Sequence, residues 1–424
     1  MWTRGFSRVT ASLQHRTIRT NADRLWKSIE AINQIGATPA GGVCRLALSD
    51  EDMEARHLFR RWCVDAGCQV RIDSIGNIFA RRPGRHLDRP AIMTGSHLDT
   101  QPTGGRFDGI YGVLAGLEVV RTLNDLKLET DAPVEIAVWT NEEGCRFAPS
   151  MGGSGVFAGV LEYEYVIGQK DRAGKNFGDE LRRIGYMGDA PIGGTTVAAY
   201  FEAHIEQGPI LEAEKKVIGV VTGGQGKRSY DVRLTGREAH AGTTPMPARH
   251  DPLKAAAQVI AGLELIAQDK APDAVTTVGM MQVLPNSRNT IPGEVFFSVD
   301  MRHPDPDTLE EMNLAFRADL DKAAAEHQIK QCVSVASEYP ATEFDPDCIA
   351  HIREAAVDLG ITHRDMISGA GHDACHLAHC IPTGMIFVPC ENGVSHNEAE
   401  NASPSDLADG CDVLLSAILR CALD

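Results

Sequence analysis

Two kinds of apolar segment alternate along the first third of the chain. One kind is short and continuous, as in PAIM at 90–93 and VEIAVW at 134–139. Runs of this length, bounded by polar and turn residues, read as buried strands. GNIFARR at 76–82 and the extension PAIMTG read the same way. The other kind spaces its apolar residues by three and four. Met53, Leu58, Phe59, Trp62 and Val64 follow Ser49 in this manner, and Val113, Leu114, Leu117, Val120 and Leu123 share a face of 110–124. Both patterns predict amphipathic helices. Ser49 with Asp52 three residues on is a candidate capping box. Strand–helix alternation of this kind predicts an α/β block, a mixed or parallel sheet with helices on both faces.

Near Lys216 the pattern changes. KVIGVVTG and RSYDVRLTG are two strands close together. A helix over 252–268, strands TTVGMMQVL and EVFFSVDMR, a helix over 309–327 and a last strand CVSVASEY follow. From about Tyr339 the first pattern returns. The expected organisation is therefore a first block at 22–215, an inserted α+β domain at 216–338, and a return to the first block at 339–424. Residues 1–21, with Arg4, Arg8, Arg16 and Arg19 and no acid, read as a basic tail, with an organelle transit peptide as the alternative. No internal repeat or low-complexity tract is visible.

Length and charge narrow the picture. A chain of 424 residues exceeds one ordinary core, in keeping with two domains. No apolar run approaches the ~20 residues that span a bilayer. A formal charge of −17 argues against nucleic acid or an anionic membrane as partner. It also requires a local cation wherever an anionic substrate is to bind. The eleven cysteines are odd in number and contain no C-x-x-C pair, which reads as reduced thiols of a cytoplasmic enzyme. GHDACHLAHC at 371–380 gathers His372, Cys375, His376, His379 and Cys380. Without C-x-x-C pairs it is not read as a dedicated zinc site.

Candidate chemistry sits at the ends of the apolar runs. TGSHLDTQPTGGRFDGIYG at 94–112 follows a strand directly. In extended chain His97 and Asp99 share a face, so the carboxylate could fix the imidazole tautomer of a metal ligand. Asp108 lies within loop reach. TNEEGCRF supplies Glu142 and Glu143, FEAHIEQG supplies His204, Glu206 and Gln207, and GVSHNEAE supplies His396. Strand edges are where ligands gather in open α/β sheets. Spacing alone leaves open whether these segments meet or are separate polar loops.

The motifs TGSHLDTQPTGGRFDG, WTNEEGCRF, FEAHIEQGP, EAHAGTTPM, SRNTIPGEV, VDMRHPD, SGAGHDA and SHNEAE, in this order from 94 to 400, resemble those of the dinuclear-metal amidohydrolases of the M20 peptidase superfamily. The resemblance is to the branch of N-carbamoyl-L-amino acid hydrolases, β-ureidopropionases and allantoate amidohydrolases. It implies a mixed-sheet metallopeptidase-like catalytic domain with an inserted α+β dimerisation (lid) domain. It implies two divalent ions, zinc first, with manganese, cobalt or nickel as alternatives. Their ligands would be His97, Asp108, Glu143, His204 and His396, with Asp108 bridging. Glu142 matches the general base, and Asp99 the partner of His97. Gln207, Asn289 and Arg302 match substrate-binding residues, Arg302 for a carboxylate, and the backbone of Gly369 to Gly371 would line the pocket. His240 matches an oxyanion-stabilising histidine that reaches the site from the other subunit of a homodimer.

The implied reaction is hydrolysis of the ureido C–N bond of an N-carbamoyl amino acid, giving the amino acid, ammonia and carbon dioxide. Thr103 leans away from the allantoate enzymes, which tend to carry Asn there, but allantoate remains an alternative. An M20 aminoacylase or peptidase is a second, and would share the metal ligands without the Gln207, Asn289 and Arg302 set. A non-catalytic binding protein is a third, disfavoured because Glu142 and all five ligands are present. With metal ligands and substrate anchors on different domains, closure is expected to assemble the site. A crosslink that holds the domains apart should therefore abolish turnover, and unchanged turnover would refute closure.

Overall fold

A computed structural model of the chain describes residues 17–423. Most of the expected basic tail, 1–16, lies outside the described residues. Its end is not a tail. Arg19 pairs with Asp409 and Asp412 at 3.1 and 2.9 Å, and the amide and hydroxyl of Thr20 donate to Asp412 at 2.6 and 2.7 Å. Asp412 is buried, and a buried carboxylate requires donors, so residues 19–21 are held against the folded unit.

The strands in chain order are β1 (Gln69–Ile72), β2 (Ile78–Arg82), β3 (Ala91–His97), β4 (Val134–Trp139), β5 (Val197–Ile205), β6 (Ile218–Gly224), β7 (Gly226–Thr235), β8 (Ala239–His240), β9 (Val275–Thr277), β10 (Met281–Leu284), β11 (Thr290–Ile291), β12 (Glu294–His303), β13 (Lys330–Tyr339), β14 (Thr342–Glu343), β15 (His363–Ser368) and β16 (Thr383–Val388). Among the described residues β1-β2-β4-β3-β5-β16-β6-β14 form one nine-stranded sheet, with β15 beside β6. At its centre β4, β3, β5 and β16 run parallel. β1, β2 and β6 pair antiparallel, so the sheet is mixed. Every residue of β3, β4 and β16 is buried, as strands covered on both faces must be. The helix Ile110–Asp125 supplies much of the cover, with Val113, Leu114, Leu117, Val120 and Leu123 in the core.

The chain divides into two compact units, residues up to 222 with 343 onward, and 223–342. KVIGVVTG, read from sequence as part of the insertion, becomes β6 and pairs with β16 of the larger sheet. The local strand pattern cannot say which sheet a strand joins. The smaller unit is a five-stranded antiparallel sheet, β10-β12-β7-β13 with β9 beside β12. TTVGMMQVL thus forms two strands, β9 and β10, both pairing with β12. β12 alternates buried and half-buried residues along its length, the signature of one covered face. Val295, Phe297, Val299 and Met301 pack with Val259 and Leu263 of the helix Pro252–Asp269 and with Met312 and Phe316 of the helix Pro306–Glu326.

Under the larger sheet, the helix Asp50–Asp65 starts at Ser49, whose hydroxyl accepts the Asp52 amide at 3.2 Å. Asp52 does not complete a capping box. Its Oδ2 accepts the Leu48 amide at 2.8 Å and Arg56 Nε at 2.9 Å, and both charged side chains are fully buried. Removing one partner strands the other charge in the core. Asp52→Ala is expected to cost about 3–5 kcal/mol in urea unfolding, with much of it restored in Asp52→Ala/Arg56→Leu. Equal losses in both variants would show that the charges are not paired energetically.

Candidate metal centre

His97 is the last residue of β3 and His204 the penultimate residue of β5. These strands are parallel neighbours, with Thr94 opposite Phe201, so the two imidazoles leave the sheet side by side. Glu142 and Glu143 follow β4, and the loop bearing His396 follows β16. Four loops therefore converge because four parallel strands end on one edge, the usual ligand-binding edge of such sheets.

Asp108 is their meeting point. Its Oδ1 lies 3.1 Å from His204 Nε2 and 3.6 Å from His97 Nε2. Its Oδ2 lies 3.2 Å from His396 Nε2. Glu143 Oε2 is 3.5 Å from His396 Nε2, and Glu142 Oε2 is 3.5 Å from His97 Nε2. Two triads result, His97–Asp108–His204 and Asp108–Glu143–His396, each with ligand atoms within 4.8 Å of one another. His97 Nδ1 donates to the Asp99 carbonyl at 2.8 Å and His204 Nδ1 to the Ile205 carbonyl at 2.9 Å. A proton fixed on Nδ1 leaves the Nε2 lone pair facing carboxylate oxygens. Acceptor facing acceptor is stable only around protons or a cation. These oxygen and imidazole donors, with no thiolate, suit zinc, manganese, cobalt or nickel.

The charges respond accordingly. Burial pushes the Asp108 carboxyl up, but hydrogen bonds from His204, His396 and His97, once these rings carry a proton on Nε2, hold it well below its ordinary range. Burial, then the Asp108 charge, pushes Glu143 up to about 7. Burial also drives Glu142 well up, against the pull of His97.

Asp99 does not hold His97 by its carboxylate, which is 3.9 Å from Nδ1. The main-chain carbonyl of Asp99 does that, because it lies nearer the ring. The carboxylate instead accepts the amides of Glu142 and Glu143, each at 3.2 Å, and fixes the turn that aims both glutamates. Gly109 lies at φ +68°, where a Cβ would sit 2.3 Å from His97 Cε1, so the loop closes on the ring only without a side chain. Asn141, Gln207 and His396 have left-handed backbones at φ 58°, 57° and 53°, strain that concentrates at functional sites.

Gln207 reaches the centre, its Nε2 donating to Asp108 Oδ2 at 3.0 Å and to Ser395 Oγ at 3.1 Å. Gly369 and Gly371 lie exposed in the turn after β15. In the smaller unit, β8–β11 pairing sets Thr290 opposite His240, and the Ala241 amide donates to the Asn289 carbonyl at 2.9 Å, so His240 and Asn289 are neighbours. His240 Nδ1 accepts the Gly242 and Thr243 amides at 3.0 and 3.2 Å, which puts its proton on Nε2. Arg302 Nε donates to Asp300 Oδ1 at 2.8 Å.

Sequence reasoning missed two groups. Glu400 Oε1 accepts the Phe107 and Asp108 amides at 2.8 and 3.1 Å. It stands inside SHNEAE, so the motif held it without giving its contact. Glu202, His204 and His372 also come within 4.8 Å of one another. Glu202 is already occupied by Ser96 Oγ at 2.7 Å, the Tyr200 hydroxyl at 3.2 Å and the Ala374 amide at 3.0 Å. In GHDACHLAHC only Asp373–Leu377 is helical. Among the described residues Cys375, His376 and His379 join no metal-capable group.

The sequence pattern of Peptidase family M20/M25/M40 matches residues 93–420. The chain belongs to this family. It is 49% identical over 404 residues to an N-carbamoyl-L-amino-acid amidohydrolase of Rhizobium meliloti, covering 95% of this chain and 97% of that one. It is 33% identical to the allantoate amidohydrolase of Escherichia coli strain K12, covering 92% and 96%. The crystal structure of an amidase of the hydantoinase/carbamoylase family from Burkholderia multivorans aligns with a TM-score of 0.93 at 55% identity, over 96% of this chain and 99% of that one. The chain is an amidohydrolase of the M20 family.

One outcome tests this geometry, and a second tests a buried imidazole outside it. Gly109→Ala should weaken metal uptake at least about tenfold through the displaced His97 ring, with circular dichroism unchanged; undiminished uptake, read by atomic absorption, would show that the loop can give. The second concerns His376, which is buried and pushed down to about 4, chiefly by burial and then by His379. The unfolded chain takes up that proton near pH 6.5, so the native state refuses a proton the unfolded state binds. Stability is unaffected above about pH 6.5 and falls as pH drops toward 4, by about 3 kcal/mol in all. His376→Leu should flatten that acid limb in urea midpoints measured across the interval, and an unaltered limb would count against a neutral buried imidazole.

Proposed function

We propose that the chain hydrolyses the ureido C–N bond of an N-carbamoyl amino acid, using two divalent ions, zinc first. His97, Asp108 and His204 would hold one and Asp108, Glu143 and His396 the other. The observation that carries this reading is the division of Asp108, each of whose oxygens faces a different triad. A carboxylate divided in this way can serve two ions at once. When bound, such ions supply Lewis acidity and a water of lowered pKa.

The protein's own residues do the rest. Glu142 projects beside His97 from a turn fixed by Asp99. It takes the proton of the attacking water and returns it to the leaving nitrogen. Arg302, aligned by Asp300, offers a planar fork to the substrate carboxylate, and so supplies the local cation that an acidic protein needs. Gln207 and Asn289 hydrogen-bond the substrate, and the backbone of Gly369 to Gly371 lines its pocket. His240, protonated on Nε2, donates to the developing oxyanion. We assign it to the site of the other subunit of a homodimer. Eleven cysteines, odd in number and without a C-x-x-C pair, accord with a cytoplasmic enzyme.

Support comes from the Rhizobium meliloti relative, whose name gives N-carbamoyl-L-amino acids as its substrates. The Escherichia coli relative keeps allantoate as the second reading, since allantoate also joins a carboxylate to ureido groups. Ammonia release by metal-reconstituted enzyme from N-carbamoyl-β-alanine, N-carbamoyl-L-amino acids and allantoate, assayed in parallel, decides between them. Glu142→Gln should lose about 10²–10⁴-fold in rate. Turnover of allantoate alone would move the substrate assignment, and silence on all three substrates would overturn the ureido reading.

A further inference from the structure

We propose that Glu400 is a positioning residue for one half of the metal centre: it locks the loop of His396 to the main chain of Asp108, and so builds the Asp108–Glu143–His396 set without serving His97–Asp108–His204. The inference rests on the two-ion reading above. Glu400 spans the two loops with one carboxylate. Its Oε1 accepts the amides of Phe107 and Asp108 at 2.8 and 3.1 Å, across 293 and 292 residues of sequence. Its Oε2 accepts the hydroxyl of Ser395, the residue before His396, at 2.8 Å. Ser395 Oγ in turn accepts Gln207 Nε2 at 3.1 Å, beside Asp108 Oδ2. The approach is made possible by Gly105, where a Cβ would lie 2.0–2.3 Å from the Glu400 carboxylate. The second glycine of TGGRFD is thus space for Glu400.

The two triads differ in what holds their histidines. His97 and His204 stand at the ends of buried central strands, and main-chain carbonyls fix their rings at 2.8 and 2.9 Å. His396 stands in a loop after the short turn Glu391–Gly393. Its side chain is 51% exposed and its backbone is left-handed at φ 53°. No sheet registers it against Asp108, so the Ser395–Glu400–Asp108 link supplies that registration. Without it, Asp108 Oδ1 still faces two strand-borne imidazoles, while Oδ2 loses the fixed position of its partner.

Chelator-competition titration with Zn²⁺ on wild type, Glu400→Ala, Glu400→Gln and Ser395→Ala tests this without reference to turnover. Wild type should take up two ions. Glu400→Ala should weaken one of them 10–100-fold and leave the other within about twofold. Glu400→Gln keeps an oxygen for the two amides and should lose less. Ser395→Ala removes only the loop arm and should affect the same single ion, which preserves the comparison if Glu400→Ala does not fold. Two ions bound at wild-type affinity in both Glu400→Ala and Ser395→Ala, or equal losses at both ions, would overturn the inference alone. A wild type that takes up a single ion would overturn the two-ion reading and this inference with it.

Discussion

The Asp108 carboxylate is the constraint on which the rest of the larger unit depends. It is buried, yet the three imidazole Nε2 atoms around it favour its ionised form wherever protons or a cation lie between them. A buried charge is tolerable only where opposite charge or donors surround it. The imidazoles that face Asp108 come from β3, β5 and the loop after β16, and the glutamates beside them from the turn after β4, all distant in sequence and adjacent only in the sheet. The buried core strands are therefore the reference frame for the candidate metal ligands, and a shift of strand register would move such a residue by a full position.

Main-chain groups carry out most of the fine positioning. Carbonyls of Asp99 and Ile205 set the imidazole tautomers. Amides of Glu142 and Glu143 are gathered by Asp99, and those of Phe107 and Asp108 by Glu400. Acceptor-only carboxylates suit this task, since the N–H groups of tight loops would otherwise go unmet. The same loops contain left-handed residues at Asn141, Gln207 and His396, whose cost is offset by the packed sheet beneath.

The smaller unit prepares its own residues independently. The short β8–β11 pairing sets His240 beside Asn289, and two amides donate to the histidine's Nδ1, which leaves its proton on Nε2. Asp300 orients Arg302 within β12. With a net charge of −17 the mean field of the protein repels anions, so a carboxylate can be held only where a local positive charge offsets that field.

The sequence by itself determined the elements and the ligand candidates. Period-2 and period-3.6 patterns located the strands and helices, and the ordered motifs from Thr94 to Glu400 pointed to the family. The family resemblance carried by those motifs, and not spacing, singled out His97, Asp108, Glu143, His204 and His396 as candidate ligands, and the fold brings them into two groups that could hold a metal ion. Tertiary structure alone decided what those residues touch. It moved Ile218–Gly224 into the larger sheet, because pairing partners are chosen by a remote edge and not by local pattern. It turned Asp99 from His97 toward the glutamate turn, because a main-chain carbonyl, absent from any motif, lay closer to the ring. It gave Glu400 its contacts with Phe107 and Asp108, because a hydrogen bond across nearly 300 residues leaves no periodic trace in a chain that encodes local geometry.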